Sequence, residues 1–425
     1  MSSPTAVVPA VHADPVRRVG GWWIAAFGVA WLGVWMAQLT PVQLMLPTQV
    51  QAVFGADPDN ARWQADTLDF GIVSGVAAVA SLIAYPLSGA LSDRTTGRWG
   101  RRRPWIVIGT VLFAGSLVAL GFQSSLAGVI VWWALASAGF CALSSALTSL
   151  ISDQVPVGQR GIVSGIMSAP QAVGIIFGVL LVTLLGLSQL LGYVMMAAIL
   201  VVLVAPFLFL VPDVRLPAEL RPAFTVSAIV KGFWIPPRRY PDFGWTLLSR
   251  VLVNVGNALG TSLLLYFLIF GLHRQDAADD LIVLTVVYAL TSVVASIVCG
   301  RLSDLWGRRK VFVLLSSALQ ALGGILLAIL PVWEVALVGA ALLGLGYGCF
   351  LAIDQALATQ VLPAAESRGK DLGIMNLASA IPQAIAPMIG ALVVIAFGSF
   401  SALFVASAVV GLAGAVTVLP IKSVR

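Results

Sequence analysis

The sequence predicts an all-α membrane protein with twelve transmembrane helices in two six-helix parallel repeats. Composition is the first reason: 59% of the 425 residues are hydrophobic, 10% are charged and mean hydropathy is +0.99, a balance that soluble domains do not show. Length is the second reason, because the chain has room for about twelve apolar segments of about 20 residues each. The third is that a charged phrase occurs twice, once in each half.

Apolar segments bounded by charge, proline or glycine give the expected helices. The longest polar stretch, rich in proline and mixed charge, separates the sixth segment from the seventh. We therefore expect a tail at 1–20, a six-helix half at 21–212, a linker at 213–242 and a second half at 243–425. The predicted helices span 22–46, 67–91, 104–122, 127–152, 161–187, 190–212, 243–271, 281–301, 310–331, 334–359, 371–396 and 399–420.

Basic residues are concentrated on one side of this topology. With the N-terminus in the cytoplasm, 21 of the 24 lysines and arginines fall in inner loops, linker and tails. The outer loops hold only Arg62 and Arg274, and Arg250 lies inside the seventh helix. Since basic residues favour the cytoplasmic side, we expect a multi-pass protein of the cell membrane with both termini cytoplasmic and no nucleic-acid partner. The outer-loop acids are expected to be solvated surface: Asp57, Asp59, Asp66, Asp276, Asp279 and Asp280.

The two halves share two phrases in the same order. LSDRTTGRWGRRRPW at 91–105 corresponds to LSDLWGRRKVF at 302–312, and each follows the second helix of its half. RGIVSGIMSAPQAVGIIFG at 160–178 corresponds to RGKDLGIMNLASAIPQAIAPMIG at 368–390. This repetition indicates two parallel units of the same architecture.

The first phrase, extended to GALSDRTTGRWGRRRPW, resembles the loop between helices 2 and 3 that marks the major facilitator superfamily. GRLSDLWGRRK is similar to the copy of that loop in the second half of the family. The long form of the first phrase and LISDQVPVGQRG at 150–161 resemble the branch of sucrose/proton symporters and glycoside/cation symporters. The resemblance implies a transporter that works by alternating access, with these gating residues: Asp93, Arg94, Arg101, Arg102, Asp304, Arg308 and Arg309.

The charges of the phrase also have a physical reading of their own. A carboxylate at a helix end can accept from arginines and from the positive N-terminus of a neighbouring helix. Such a cluster can latch the two halves, and the resemblance implies that it holds the cytoplasmic side shut in the outward-open state. The alternative is that the arginines only keep this loop cytoplasmic.

Polar residues within apolar helices point to the binding chemistry, because they are costly there unless they pair or face a water-filled cavity. Amides and indoles suit a neutral hydroxylated solute such as a sugar, since amides bond to hydroxyls and rings cover apolar faces. The alternative is that they only bridge helices or pack. The predicted solute-binding residues are Trp31, Trp35, Gln38, Gln43, Gln171, Asn254, Asn257, Gln355, Asn376 and Gln383.

Proton coupling has three charged candidates, and the first helix contributes no acid. Asp153 matches by resemblance an acid of sucrose carriers that is implicated in coupling, and partial burial would suit it by raising its pKa. It could instead cap the turn between helices 4 and 5. Arg250 and Asp354 lie at about the same depth at ~1.5 Å rise per residue, so we expect them to pair. Asp354 is the rival proton carrier.

Two other functions stay open: a proton-antiport exporter of drugs or metabolites, and a non-transporting sensor. Exporters commonly carry Gly-Pro-x-x-Gly-Gly in helix 5, which GIMSAPQAVGIIFG lacks, and a sensor is expected to carry a signalling extension. The sequence has no pattern of a nucleophile and a base that would predict an enzyme. Its three isolated cysteines predict neither a disulfide nor a metal site. The expected partners are a small solute, protons and the lipid bilayer, with no cofactor, and the chain is expected to be a monomer.

Overall fold

The structure is a computed structural model that describes residues 15–55, 62–211, 213, 215–217, 219, 221, 240–360 and 368–421. Most of the predicted linker and of the N-terminal tail lies outside these residues. Within the described part of the chain there are no strands and twelve helices. Their bounds are α1 Gly21–Val53, α2 Trp63–Asp93, α3 Arg103–Gly121, α4 Leu126–Gln154, α5 Val157–Leu184, α6 Gln189–Leu210, α7 Pro241–Gly271, α8 Ala277–Trp306, α9 Arg309–Ile329, α10 Trp333–Gln360, α11 Arg368–Phe397 and α12 Phe400–Val416.

The first helix is longer than predicted because a proline inside it does not end it. Pro41 begins a π-helical turn, Pro41–Met45, and the Leu46 N–H bonds back to the Pro41 carbonyl. The wider turn accommodates the ring without breaking the helix, so α1 continues to Val53. The first helix of the second half, α7, likewise contains a π-helical turn near its end, at Phe267–Gly271.

Length and apolar composition agree with a membrane protein. Within the described residues, nine helices are long and apolar enough to cross a membrane. The other three contain shorter apolar stretches: Val173–Leu184 in α5, Ile381–Phe397 in α11 and Phe400–Val416 in α12.

The halves pack in the same way, which confirms the predicted fold class. In the first half, α1 packs against α5 and α6, α3 packs against α4 and α6, and α2 packs against α4. Each contact recurs six helices later, with α7 against α11 and α12, α9 against α10 and α12, and α8 against α10. The halves meet along two seams, α2 with α11 and α5 with α8. Two parallel repeats around a pseudo-twofold axis produce this pattern.

We call the end of the bundle where α2 and α8 finish the motif end, and the other the opposite end. At the opposite end, aromatic rings join the halves: Trp63 on α2 lies 6.4 Å from Phe270 and 5.7 Å from Phe400, centroid to centroid. Phe70 lies 5.6 Å from Tyr266, whose hydroxyl donates to the Pro47 carbonyl at 3.1 Å. A tight apolar seal therefore links the halves at the end opposite the repeated motif.

Candidate solute cavity

A cavity with two lobes lies between the halves. The N-lobe, of about 190 Å³, is bounded mainly by α1, α2, α4, α5, α10 and α11. The C-lobe, of about 420 Å³, is bounded mainly by α1, α5, α7, α8 and α10. Solute sites of proteins are commonly cavities of roughly this size with a few polar groups on apolar walls. The residues that line both lobes are Leu39, Val42, Gln171, Tyr347, Leu351 and Gln383.

The two predicted tryptophans of α1 line the N-lobe but have different hydrogen bonds. Their rings lie 5.7 Å apart, as expected for residues four apart on one helix. The Trp35 indole N–H donates to the Met167 carbonyl on α5 at 3.0 Å, so this residue also ties α1 to α5. The Trp31 indole N–H is buried and has no partner among the described residues. The Trp31 N–H therefore reaches a solute only when the side chains that cover it move aside.

The predicted amides divide into those that line the cavity and those that do not. Gln38 lines the N-lobe, Gln43 the C-lobe, and Gln171 and Gln383 line both. The Gln171 amide N–H donates to the Gln383 Oε1 at 3.4 Å, which joins α5 to α11 across the halves. Both residues follow the proline of the repeated Arg-Gly phrase, so the internal repeat places them in equivalent positions.

The asparagines of α7 show the same division. Asn257 lines the C-lobe and accepts from the Tyr288 hydroxyl at 3.1 Å. Asn254 lies behind the lining, where its amide donates to the Arg250 carbonyl at 2.8 Å and accepts from Tyr347 at 3.3 Å. Its hydrogen bonds favour a supporting role over a solute contact. The side chains of the predicted residues Gln355 and Asn376 lie outside the described ones.

Arg250 and Asp354 form the predicted pair. The Arg250 Nη2 lies 3.0 Å from the Asp354 Oδ2, and both side chains are 3% exposed. The Arg250 Nε donates to the Ser379 hydroxyl on α11 at 2.8 Å, while its Nη1 is buried without a partner among the described residues. All three residues line the N-lobe. A neutralised charge pair with one unused donor therefore forms part of the cavity wall.

Hydroxyl groups contribute more to the lining than the sequence indicated. Ser144 and Tyr85 line the N-lobe, Tyr288 lines the C-lobe and Tyr347 lines both. The Ser144 Oγ is buried without a partner among the described residues, as is the Gln38 Oε1. The sequence carries no signal for such positions, because many hydroxyls in apolar helices bond to their own helix, as Thr261 does to the Asn257 carbonyl at 3.0 Å.

The motif residues of the first half form an ion-pair cluster at the motif end. Arg102, 3% exposed, contacts the Asp93 Oδ1 at 2.7 Å and the Asp153 Oδ2 at 2.8 Å, and donates to Ser92 at 2.8 Å. Arg101 contacts the other oxygen of Asp153 at 2.5 Å. Burial lowers the pKa of Arg102, but Asp153 and Asp93 outweigh it and raise that pKa above its usual value. These contacts join α2, α3 and α4 within one half.

Asp153 is partly buried, and its partners are two arginines that the sequence analysis did not pair with it. It lies outside both lobes and is held by two arginines, and it does not simply cap the turn after α4. A carboxylate in this position loses two charge-assisted hydrogen bonds when it binds a proton. Its role as proton carrier stays a prediction, and this geometry weighs against it.

The start of the linker contributes a residue that the sequence did not single out. The Asp213 Oδ2 accepts from the backbone N–H groups of Arg102 at 2.6 Å and Arg103 at 2.8 Å. It thereby caps the N-terminus of α3, where negative charge is favoured. Gly100 has φ +98°, and a Cβ added there would lie 2.4 Å from the Asp213 Oδ2. The glycine makes room for the cap.

In the second half the motif is described only in part. Arg308 is exposed and Arg309 is half-buried, while the side chain of Asp304 lies outside the described ones. Lys310 donates to the carbonyls of Leu419, at 3.2 Å, and Ile421 at the end of α12. The gating roles of both copies of the motif, including that of Arg94, stay predictions.

The expectation for the outer-loop acids is wrong for two of them. Asp66 is 7% exposed and lies 3.9 Å from the Arg62 Nε, and Asp280 is 8% exposed and lies 2.6 Å from the Arg274 Nε. Both acids belong to the first turns of long helices, α2 and α8, where packing and an arginine partner compensate their burial. Asp57 and Asp59 lie outside the described residues.

Comparison with known proteins agrees with the fold. In the sucrose transport protein SUT1 of Oryza sativa subsp. japonica, 48 residues are 42% identical, and the same holds for subsp. indica. This match covers 11% of the chain and only 9% of those proteins. A structure of the nucleoside transporter NupG matches with a TM-score of 0.69 and 14% identity over 94% of this chain and 99% of that one.

A second solved structure is a bacterial homologue of the human lysosomal transporter Spinster, in an inward-facing and unoccupied conformation. It matches with a TM-score of 0.64 and 14% identity over 94% of each chain. The model of the Major Facilitator Superfamily matches residues 21–279 and 251–424. The chain belongs to the Major Facilitator Superfamily.

Proposed function

We propose that this protein is a secondary transporter that moves a sugar or glycoside across the cell membrane by alternating access, together with protons. The observation that carries the proposal is the cavity between the two halves, whose walls hold indoles, amides and one buried charge pair. A site between two halves of a parallel repeat can open to either side when the halves rock. The distribution of the basic residues supports a cytoplasmic position for the motif end and for both termini.

The hydrogen-bonding groups of the N-lobe support a neutral, hydroxylated solute. The Trp31 indole N–H, the Gln38 Oε1, the Ser144 Oγ and the Arg250 Nη1 are buried and lack partners among the described residues. Both donors and acceptors thus lack protein partners, and they become available to sugar hydroxyls, which can serve as either, once the side chains that cover them move aside. Because Asp354 compensates Arg250, the described part of the wall carries little net charge that would call for an ionic solute.

The conformation supports alternating access. The aromatic seal between Trp63, Phe270 and Phe400 closes the opposite end, and the described cavity walls reach Tyr85 on α2 and Thr148 on α4, toward the motif end. We assign this form to a state whose solute path leads to the cytoplasm. In this state the ion-pair cluster of the motif joins helices of the first half only. Its contact with the second half belongs to the state whose solute path leads to the opposite side.

For proton coupling we favour the Arg250–Asp354 pair over Asp153. Asp354 lines the cavity, so its protonation can depend on the solute and on which side is open, whereas Asp153 is held by Arg101 and Arg102 outside the lobes. When Asp354 binds a proton, Arg250 loses its ionic partner and can bond to the solute instead. Protons and solute then move in one step.

Transport by the purified full chain in liposomes tests the proposal. With a pH-sensitive dye inside, addition of the transported member of a panel of sugars should move protons with the solute. Asp354→Asn should abolish accumulation driven by a proton gradient while exchange of solute continues. Asp153→Asn is the matched control and should accumulate solute at a reduced but measurable rate.

The opposite outcomes decide between the alternatives. Uphill accumulation by Asp354→Asn together with its loss in Asp153→Asn would return the coupling role to Asp153. Proton movement that is driven by lipophilic cations and not by any sugar would indicate the exporter. Binding of a sugar without any flux across the membrane would indicate the sensor.

A further inference from the structure

The two glutamines of the repeated Arg-Gly phrase meet across the cavity. Gln171 comes from α5 of the first half and Gln383 from α11 of the second, and their amides are 3.4 Å apart, N to O. Both residues line the N-lobe and the C-lobe, so the amide pair lies where the lobes join. It is a direct polar contact between the halves in the middle of the described cavity.

We propose that the transported solute binds by inserting between Gln171 and Gln383. Without solute the amides bond to each other, and with solute each bonds to a solute hydroxyl. The inference rests on the proposed function, because it identifies how that cavity selects a hydroxylated solute and how solute binding reaches both halves.

The reason is the cost of an unpaired amide. Both amides are half-buried, and an amide that loses its partner there costs part of a hydrogen bond, so the pair separates most readily for a solute that offers a new bond to each amide. A solute of similar shape without hydroxyls leaves both amides unpaired and is rejected. The two amides belong to different halves. A bound sugar therefore connects the halves through Gln171 and Gln383, the same side chains that bond to each other without solute.

The surroundings hold both amides in place. Tyr347 contacts the Gln383 amide and donates to Asn254 at 3.3 Å, and Asn254 in turn donates to the Arg250 carbonyl at 2.8 Å. On the other side, α5 packs so closely on α1 that a Cβ added at Gly174 would lie 3.3 Å from the Trp35 Cβ. The pair is therefore set by rigid elements and can act as a selective contact.

A double-mutant cycle on the full chain tests the insertion. Binding of radiolabelled sucrose, and separately of uridine, is measured for wild type, Gln171→Ala, Gln383→Ala and the double variant. Each single change removes one solute contact but frees the other amide from the bridge, so each should weaken binding only by about two- to fivefold. The double variant loses both contacts and should weaken binding at least about threefold beyond the product of the single losses.

A matched control uses another glutamine of the same cavity. Gln43 lines the C-lobe on α1, and the cycle of Gln43→Ala with Gln383→Ala should give the product of the single effects to within about twofold. Additive losses in the Gln171 and Gln383 cycle would overturn the insertion, since they would mean two independent contacts. Unchanged binding in all variants would overturn it as well.

Thermal unfolding without solute gives a second, independent cycle. If the amides bond to each other, either single variant loses the bridge and the double variant should be no less stable than the weaker single variant. Equal and additive losses would overturn the bridge. If the wild-type chain binds neither sucrose nor uridine, the assignment of a sugar as solute is contradicted. The thermal-unfolding cycle would then still show whether Gln171 and Gln383 bond to each other.

Discussion

The two copies of the charged motif have the same sequence pattern but different partners. Gly100-Arg101-Arg102-Arg103 corresponds to Gly307-Arg308-Arg309-Lys310, and the last residue of each bonds to the carbonyls that end its half, on Val211 in one and on Leu419 in the other. This contact fastens the third helix of each half to the sixth. It is a property of the repeated fold.

Two of the acids that contact the motif in the first half are not repeated, whereas Asp93 has a counterpart in Asp304. Counting from the aligned prolines at 212 and 420, Ile421 stands where the first half has Asp213. Counting from the aligned arginines at 160 and 368, Val361 stands where it has Asp153. Only the first half therefore has these two carboxylates to fix its motif arginines. The difference teaches that the contact of the motif with the end of the sixth helix serves the fold of both halves, whereas the bonds of Asp153 and Asp213 to the motif are a feature of the first half.

The largest expected difference between the copies concerns their second arginine. Arg102→Ala removes the partner of Asp93 and of one oxygen of Asp153, and we expect it to lower the free energy of unfolding by about 3 kcal/mol. Arg309→Ala should lower it by no more than about 1 kcal/mol, because that side chain is half-buried at the surface. Thermal unfolding in detergent measures both, and equal losses would show that the two copies are equally fixed.

The glycines of the two copies give the next largest effect. Gly100→Ala places a Cβ 2.4 Å from the Asp213 Oδ2 at φ +98°, so it should cost about 3 kcal/mol or displace the cap on α3. Gly307 has φ +61°, and a Cβ added there meets open space. Gly307→Ala should therefore lower the free energy of unfolding by about 1 kcal/mol, through the left-handed backbone conformation alone. The same unfolding measurement compares them, and a larger loss for Gly307→Ala would contradict the role of Asp213.

The contacts that both halves share should give equal, smaller effects. Arg103→Ala and Lys310→Ala each remove a cation from the carbonyls at the end of a helix, where it stabilises by about 1 kcal/mol. We expect the two variants to unfold at the same temperature within a few degrees and to bind solute as the wild type does. A loss in one half only would show that this contact is not a repeated element.

The smallest effect on stability, but a measurable one on conformation, is expected for Asp93. Its side chain is 53% exposed, so Asp93→Asn should change the free energy of unfolding by less than about 1 kcal/mol. If the motif also latches the halves in the other state, this variant should favour the form open at the motif end. Cysteines placed in the cavity should then react faster with a reagent added at that side. If labelling and transport are both unchanged, the motif arginines serve only to keep their loop on the cytoplasmic side.

The sequence by itself determined the fold class, the number of helices and the parallel repeat. These follow from the length of apolar segments and from repeated phrases, which are properties along the chain and need no knowledge of packing. It also identified the Arg250–Asp354 pair, because depth in a helix is counted in residues and a lone charge at that depth is costly. Gln171 and Gln383 were selected as cavity residues for the same reason.

Only the tertiary structure decided which partner each polar group has. Asp153 lies in a helix like Asp354 does, but its neighbours are two arginines from the loop before α3, far away in sequence. Asn254 and Asn257 are one turn apart on α7, yet one supports the wall and the other lines the cavity. Whether a polar side chain meets solute or protein depends on the rotation of its helix and on which helices pack around it, and a membrane helix that is apolar on all sides leaves no pattern to show this.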